Sequence, residues 1–225
     1  MISERDFSEW PVSDVMALMR QAGAKFRDCI FDGVDFSDQE LDEVSFSKCR
    51  FLNCAFRSAT LYNIRFQNCA LSGADFRYAR LEDCGFDVCN AVGIDFSDAT
   101  ASSLGITGCK MTGARLNGMR LFDLRLEQVI FESADLRRVD LRDQLVRGVD
   151  FSNARLAEAD LRDAVFEDCS LVGADLAGAK LKGADLRGAQ LGDLALMEVM
   201  AALRGAVISR AQAGDLLRSC GIAVL

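Results

Sequence analysis

Residues Ala164–Leu191 read AVFED CSLVG ADLAG AKLKG ADLRG AQL when the chain is divided into groups of five. Each group begins with a small residue, often has Asp second, and carries a large apolar residue at its centre. A short fixed period is typical of solenoids and repeat arrays rather than of globules with mixed elements. The stretch therefore predicts a domain built from five-residue units.

The same pattern extends over most of the chain without an insertion. Every fifth residue from Phe26 to Leu196 is apolar, and the position two residues earlier, from Ala24 to Leu194, is small or apolar except at Gln39 and Gln144. These two positions predict the core, and the other three face water. Because a period of five fits neither an α-helix nor a simple strand, the chain must turn at regular intervals.

A longer recurrence shows how many units make one coil. Cysteines recur in one phase of twenty residues, and residues suited to turns recur in another. The cysteines are Cys29, Cys49, Cys69, Cys89, Cys109 and Cys169; positions 33, 53, 73, 93, 113, 133, 153 and 173 hold Gly, Asn or Ser. Four units per coil predict an all-β solenoid of square cross-section. At about 4.8 Å per coil, nearly nine coils would form a rod of roughly 40 Å.

The repeat is flanked by two segments that do not follow it. Before it, Pro11 is expected in the first turn of a short capping helix that runs to about Gln21. After it, Ser209 and Gln212 form a capping-box pattern that opens a second helix, ended by Gly221. We therefore divide the chain into an N-terminal cap (1–23), the repeat (24–198) and a C-terminal helix with its tail (199–225).

Composition argues against several functions. The net charge of -8 disfavours direct binding to nucleic acid or to an anionic membrane. No run of 18 apolar residues and no signal-peptide pattern occurs, so a cytoplasmic location is expected. Without His, a Gly-rich phosphate loop or a GxSxG motif, the sequence predicts a protein that is not an enzyme and needs no cofactor.

Eight of the nine cysteines occupy the inward small position, and CxxC pairs are absent. This placement indicates small buried hydrophobic residues rather than a metal site or disulfides. Cys220 lies outside the repeat and is the best candidate for a reactive thiol.

The blocks ADLRG, ADLAG and ADFRY resemble the A(D/N)LxX pattern of the pentapeptide-repeat family, whose fold is a right-handed quadrilateral β-helix. The stretch SSLGITGCKMTGARL and the GIAV tail resemble the Qnr-type quinolone-resistance proteins. The unbroken repeat, without the loops common in that group, makes the loopless MfpA type an equally good comparison. The resemblance implies a DNA-mimicking homodimer, joined at its C-terminal end, that binds DNA gyrase, with topoisomerase IV as a second candidate. By the same resemblance it would protect the enzyme from quinolones or a natural topoisomerase poison, or modulate its activity.

Most of the net negative charge falls on two adjacent sides of the predicted coil, where a gyrase-binding surface is expected. An exposed aromatic residue on the same sides could anchor a partner. The predicted surface comprises Asp35, Asp38, Glu40, Asp42, Asp95, Asp98, Asp135, Asp140, Asp143, Asp160, Asp163 and Phe122. The alternative is that Asp before the central residue is structural, because its carboxylate can bond nearby backbone N–H groups.

The apolar residues of the C-terminal segment predict the dimer contact. They are Leu216, Leu217, Ile222 and Val224. A different function also stays open: the chain could be a structural or adaptor solenoid with an unrelated protein partner, because arginines on the acidic sides dilute their charge.

Overall fold

A computed structural model describes residues 1–192 and 200–224, so the predicted core residues Leu194 and Leu196 and the predicted boundary at residue 198 lie outside it. The strands are β1 (Ile2–Ser3), β2 (Lys25–Arg27), β3 (Glu40–Asp42), β4 (Ser45–Ser47), β5 (Thr60–Tyr62), β6 (Arg65–Gln67), β7 (Arg80–Glu82), β8 (Gly85–Asp87), β9 (Thr100–Thr107), β10 (Arg120–Glu127), β11 (Leu145–Arg147), β12 (Val165–Ser170) and β13 (Asp185–Gln190). The helices are α1 (Val12–Met19) and α2 (Arg210–Ser219).

The strands form a parallel β-solenoid of about nine turns, which confirms the predicted fold class. Residues twenty apart pair with one another, as Phe26 does with Phe46. We call the four sides first, second, third and fourth, centred on Phe26, Phe31, Phe36 and Leu41 and on every twentieth residue after each. Strand ladders form most of the first and fourth sides. Single bridges such as Ile30 to Arg50 and Asp35 to Ala55 join the coils of the second and third.

The corners of the coil use left-handed backbone. From Asp28 to Gly183 the residue two after each centre has a positive φ, as at Gly33 (70°), Asn53 (55°) and Asp98 (58°). Gly adopts this conformation without a steric cost, and Asn and Asp tolerate it better than other residues. This requirement explains why Gly, Asn, Asp and Ser recur at the predicted turns.

The core is a column of stacked side chains. From Phe26 to Leu191 every central residue is buried except Leu121, which is half-buried. Phe66 stacks on Phe46 and Phe86 at centroid distances of 5.2 and 5.0 Å. Rings of neighbouring sides meet nearly at right angles, as Phe46 and Phe51 do at 85°. These offset and edge-on arrangements are the ones that aromatic pairs prefer.

The buried cysteines fill the narrow corners of this core. Eight are buried, as predicted, and Cys220, outside the repeat, is exposed. Their thiols have local partners: the Cys89 Sγ lies 3.3 Å from the Phe66 carbonyl oxygen. Burial raises the pKa of Cys84 to about 11, which disfavours the reactive thiolate. In the described residues no group of His, Cys, Asp and Glu side chains is arranged to hold a metal ion.

Each end of the rod carries a cap. Helix α1 buries Val15, Met16 and Met19 against the first coil, and it ends at Met19, short of the predicted Gln21. At the other end, the predicted capping box is present, with Ser209 and Gln212 bonding each other's backbone N–H groups. The Gln212 Nε2 also donates to the carbonyl oxygens of Leu186 and Ala189, at 2.7 Å each. These bonds fix α2 to the last described coil.

Replacing one stacked ring should show how much the aromatic core contributes to the free energy of unfolding. We expect Phe66→Ala to lower the free energy of unfolding by about 3–5 kcal/mol, because it leaves a cavity among rings that cannot close around it. Phe122→Ala makes the same chemical change at a side chain that is 62% exposed, and should change stability by less than about 0.5 kcal/mol. Urea unfolding followed by circular dichroism measures both, and equal losses would contradict a core that depends on the stack.

Candidate partner-binding surface

Five of the predicted surface carboxylates bind the backbone of their own chain. They precede a central residue, and each accepts the N–H of the residue two positions later. The bonds run from Ser37 to Asp35 (2.9 Å), Ser97 to Asp95 (2.9 Å), Arg137 to Asp135 (3.3 Å), Arg142 to Asp140 (3.2 Å) and Arg162 to Asp160 (3.5 Å). The structural role that the sequence left open for these aspartates is therefore present.

Four of these five carboxylates are also neutralised by cations. Arg137, Arg142 and Arg162 each contact the aspartate two residues earlier, at 2.7, 2.6 and 2.7 Å. Arg115 reaches Asp95 from the next coil at 3.2 Å. The hydrogen bond from the Arg162 side chain lowers the pKa of Asp160, which Lys180 also approaches. The later coils of the third and fourth sides therefore present paired charge.

A second set of carboxylates lies at the corner between the fourth and first sides. We call this set the acidic edge. It comprises Glu43, Asp83, Asp123, Asp143 and Asp163, with φ between 50 and 58°. In the described part of the chain none of them forms an ion pair within 4.0 Å, although the Ser103 hydroxyl donates to Asp123 at 3.2 Å. The acidic edge is thus a line of carboxylates along the rod without direct ion pairs among the described residues, although the Arg65 side chain donates to the Asp83 backbone carbonyl oxygen and Arg142 lies near Asp143.

Of this edge, the predicted surface includes only Asp143 and Asp163. That surface is defined by the sides of the coil, and one side combines positions whose side chains point in different directions. The signal that identifies the edge is an acid two residues after the centre, recurring at multiples of twenty. Four other predicted acids are in no ion pair and accept no backbone bond among the described residues, and they lie elsewhere. Asp38 and Asp98 are at the corner of the third and fourth sides, and Glu40 and Asp42 are on β3.

Two aromatic side chains stand beside the acidic edge. Phe122 is 62% exposed and directly precedes Asp123. Tyr62 is also exposed and occupies the same repeat position three coils earlier. Exposed aromatic residues are common energetic anchors in protein interfaces. The predicted anchor Phe122 therefore lies next to Asp123 of the acidic edge.

The predicted dimer residues divide into two kinds. Leu216 is buried in the core of its own chain, so it is not available to a second copy while α2 stays in place. Leu217 and Ile222 are exposed by 37 and 50%. Val224 is half-buried. Of the predicted dimer residues, only Leu217 and Ile222 thus present large apolar side chains to solvent, and Met200 and Val207 of the same C-terminal segment are also exposed.

Family models match most of the chain. The model of the pentapeptide repeat region matches residues 59–128 and 119–196, and the model of eight-copy pentapeptide repeats matches residues 22–54. The chain belongs to the pentapeptide-repeat family. The coil and corner pattern described above is thus the structure of this family's repeat.

Solved structures of this family have the same fold. Full-length QnrB1, described as a plasmid-mediated fluoroquinolone resistance protein, superimposes with a TM-score of 0.59 at 21% identity; the match covers 86% of this chain and 100% of QnrB1. A trypsin-treated QnrB1 variant gives 0.56 at 22% identity, covering 86% and 98%. A comparison with curated protein sequences gave no significant match. Among the described residues, no helix has the length and apolar character needed to cross a membrane.

The aspartate–arginine pairs should be visible by titration. The hydrogen bond from Arg137 is the main cause that holds the pKa of Asp135 below its ordinary value of 3.8. Arg137→Gln should therefore raise this pKa towards 3.8, while Arg125→Gln on another side should leave it unchanged. Because the folded-state pKa is lowered, the stabilisation is present above pH 3.8 and is lost as the pH falls through the folded-state pKa. Carboxyl ¹³C NMR measures the shift, and an unchanged Asp135 pKa in Arg137→Gln would contradict the pairing.

Proposed function

We propose that this protein is a non-enzymatic DNA mimic that acts in the cytoplasm by binding bacterial DNA gyrase, with topoisomerase IV as a second candidate. The acidic edge is the observation that carries the proposal. Its carboxylates recur at multiples of the coil spacing, about 4.8 Å, along one line of a rigid rod. A DNA strand places one negative charge per about 3.4 Å of axis. The acidic edge is therefore a line of negative charges like that of a DNA strand, but with wider spacing, and its carboxylates are fixed by the coils rather than by flexible loops.

Charge complementarity explains how the edge would engage the enzyme. A protein groove that holds DNA is lined by Lys and Arg, and a fixed line of carboxylates can occupy it in place of phosphates. Asp123, Asp143 and Asp163 lie on three successive coils and form the densest part of the line. Phe122 adds an apolar contact beside them. The ion-paired aspartates of the third and fourth sides would contribute little to this attraction.

Similarity of fold to QnrB1 supports protection against quinolones as the effect to test first. One difference between this chain and the Qnr type is relevant: its repeat runs from Phe26 to Leu191 without an inserted loop. Supercoiling by purified gyrase should therefore be titrated with this protein, with and without a quinolone. Rescue of drug-inhibited supercoiling would support protection, and inhibition alone would support mimicry without protection. No effect well above the gyrase concentration would contradict the proposal.

Neutralising the acidic edge should weaken gyrase binding. We expect Asp123→Asn/Asp143→Asn/Asp163→Asn to reduce affinity by about tenfold, because three unscreened contacts with a basic groove are lost. The matched control is Glu132→Gln/Asp150→Asn/Asp168→Asn, which removes the same charge from the second side and its corner. Surface plasmon resonance at two salt concentrations measures both. Equal weakening would mean that net charge, rather than the edge, determines binding.

A second candidate is a structural or adaptor solenoid with an unrelated partner. The pairing of Asp135, Asp140 and Asp160 with arginines favours it, because two sides that looked acidic are largely neutral at their later coils. Absence of gyrase binding by the folded, unmodified protein would select this candidate, whereas unchanged gyrase binding by the three-aspartate variant would mean that the acidic edge does not contact gyrase.

We further propose that the chain forms a homodimer through its C-terminal end. Exposed Leu217 and Ile222 support this, because a helix end that leaves large apolar side chains in water gains by covering them. Leu217→Asp/Ile222→Asp should give a folded monomer in light scattering coupled to size exclusion. Leu145→Asp/Ile130→Asp removes exposed apolar residues from the middle of the rod and should leave the dimer intact. A dimer that persists in the first variant would contradict an interface at this end.

A further inference from the structure

The N-terminal end of the solenoid is closed on two sides and open on the others. Strand β1 pairs with β2 on the first side, and Asp6 bridges to Ile30 on the second. Strand β3, on the fourth side, pairs with β5 alone. Among the described residues no strand lies beside β3 on its N-terminal side in the fourth side of the coil. One edge of β3 is therefore unpaired.

The equivalent positions in later coils show which backbone groups are affected. The N–H groups of Thr60, Arg80 and Thr100 each donate to a carbonyl oxygen of the preceding coil at 2.9 Å. Glu40 occupies the same position in the first coil, where the described structure has no preceding carbonyl to receive its N–H. The Glu43 N–H points to the second coil, where it donates to the backbone carbonyl oxygen of Tyr62. Because alternate residues of a strand point to opposite neighbours, Asp42 shares the open side with Glu40.

A cavity of about 380 Å³ lies against this open edge. Met19, Arg20 and Ala22, at the end of α1 and in the turn after it, form its opposite wall. Residues Glu40–Glu43 form the strand wall. The edge is therefore neither covered by the helix nor part of a flat surface. A three-residue stretch of extended chain, about 10 Å long, matches the length of β3.

The charge of the edge determines what could pair with it. Glu40, Asp42 and Glu43 are exposed, and in the described residues none of them is in an ion pair. A second copy of the chain would bring these carboxylates opposite one another, and like charges directly opposite destabilise a sheet. A partner strand with Lys or Arg at alternate positions would instead face Glu40 and Asp42. Its intervening residues would point inwards, as Leu41 does, and should be apolar.

We propose that β3 is a docking edge for an extended segment of a partner protein in which basic and apolar residues alternate. The segment adds a strand to the fourth side, and its backbone bonds the free groups of Glu40 and Asp42. This is β-strand addition, in which main-chain hydrogen bonds provide affinity and alternate side chains provide specificity. The proposal does not depend on the binding of gyrase, which is assigned chiefly to Asp123, Asp143 and Asp163 of the acidic edge, further along the rod.

A labelled peptide tests the proposal. The probe is an end-capped seven-residue peptide of alternating Lys and Val, with an alternating Glu and Val peptide as its charge control. A third peptide keeps the Lys–Val sequence but carries N-methyl groups on alternate residues, which removes the backbone donors. Fluorescence anisotropy should show binding of the first peptide, none of the second, and at least tenfold weaker binding of the third. In the complex, hydrogen exchange at the amides of Glu40 and Asp42 should slow.

The chain offers a matched pair of variants. Glu40→Gln/Asp42→Asn should weaken binding of the Lys–Val peptide by about fivefold, as expected for two exposed ion pairs. Glu82→Gln/Asp83→Asn removes the same two charges two coils later, where β7 is paired on both edges by β5 and β9. This control should bind as the unmodified protein does. Equal weakening by both variants, undiminished binding of the N-methylated peptide, or no binding of the Lys–Val peptide would each overturn the proposal.

Discussion

The parallel backbone ladder between residues twenty apart is the constraint on which this structure depends. It places every residue above its equivalent in the previous coil, so identical positions become columns. A column of central residues becomes the stacked core in which Phe46, Phe66 and Phe86 lie face to face. Outward columns become lines of surface chemistry, and one of these is the acidic edge. The same hydrogen bonds therefore fix both the core and the candidate binding surface.

This stacking gives aspartate two different roles, according to its position in the repeat. Before a central residue, as at Asp135, the carboxylate bonds the N–H two residues later and stabilises the bend of its own coil. An Arg at that later position then pairs with it and removes its charge from the surface. At a corner, as at Asp143, the aspartate adopts the left-handed backbone that the turn requires, and its side chain is exposed to water. At Asp143 the charge is therefore exposed to a partner, whereas at Asp135 it is paired with arginine.

The two ends of the rod solve the problem of unpaired coils differently. At the C-terminal end, the Gln212 side chain donates hydrogen bonds to carbonyl oxygens of the last described coil, and Leu216 covers the core of that coil. At the N-terminal end, α1 covers the core, but the backbone edge of β3 stays open beside it. A solenoid must expose or cover such edges, because unlike a closed barrel it cannot pair its first strand with its last. The open edge is thus a consequence of the topology, and its acidic side chains give it selectivity.

The sequence by itself determined the coil. A period of five, with apolar residues at two positions and a recurrence at twenty, requires a chain that turns at regular intervals. The family resemblance then identified the coil as a right-handed quadrilateral β-helix. The sequence also placed the buried cysteines, the capping box at Ser209 and Cys220 outside the repeat. Only the tertiary structure decided which carboxylates are free, since Arg115 reaches Asp95 and Arg155 reaches Asp135 across coils. It also decided that Leu216 is buried while Leu217 is exposed. These outcomes depend on side-chain direction and on neighbours twenty residues away, which a linear pattern of residue types does not specify.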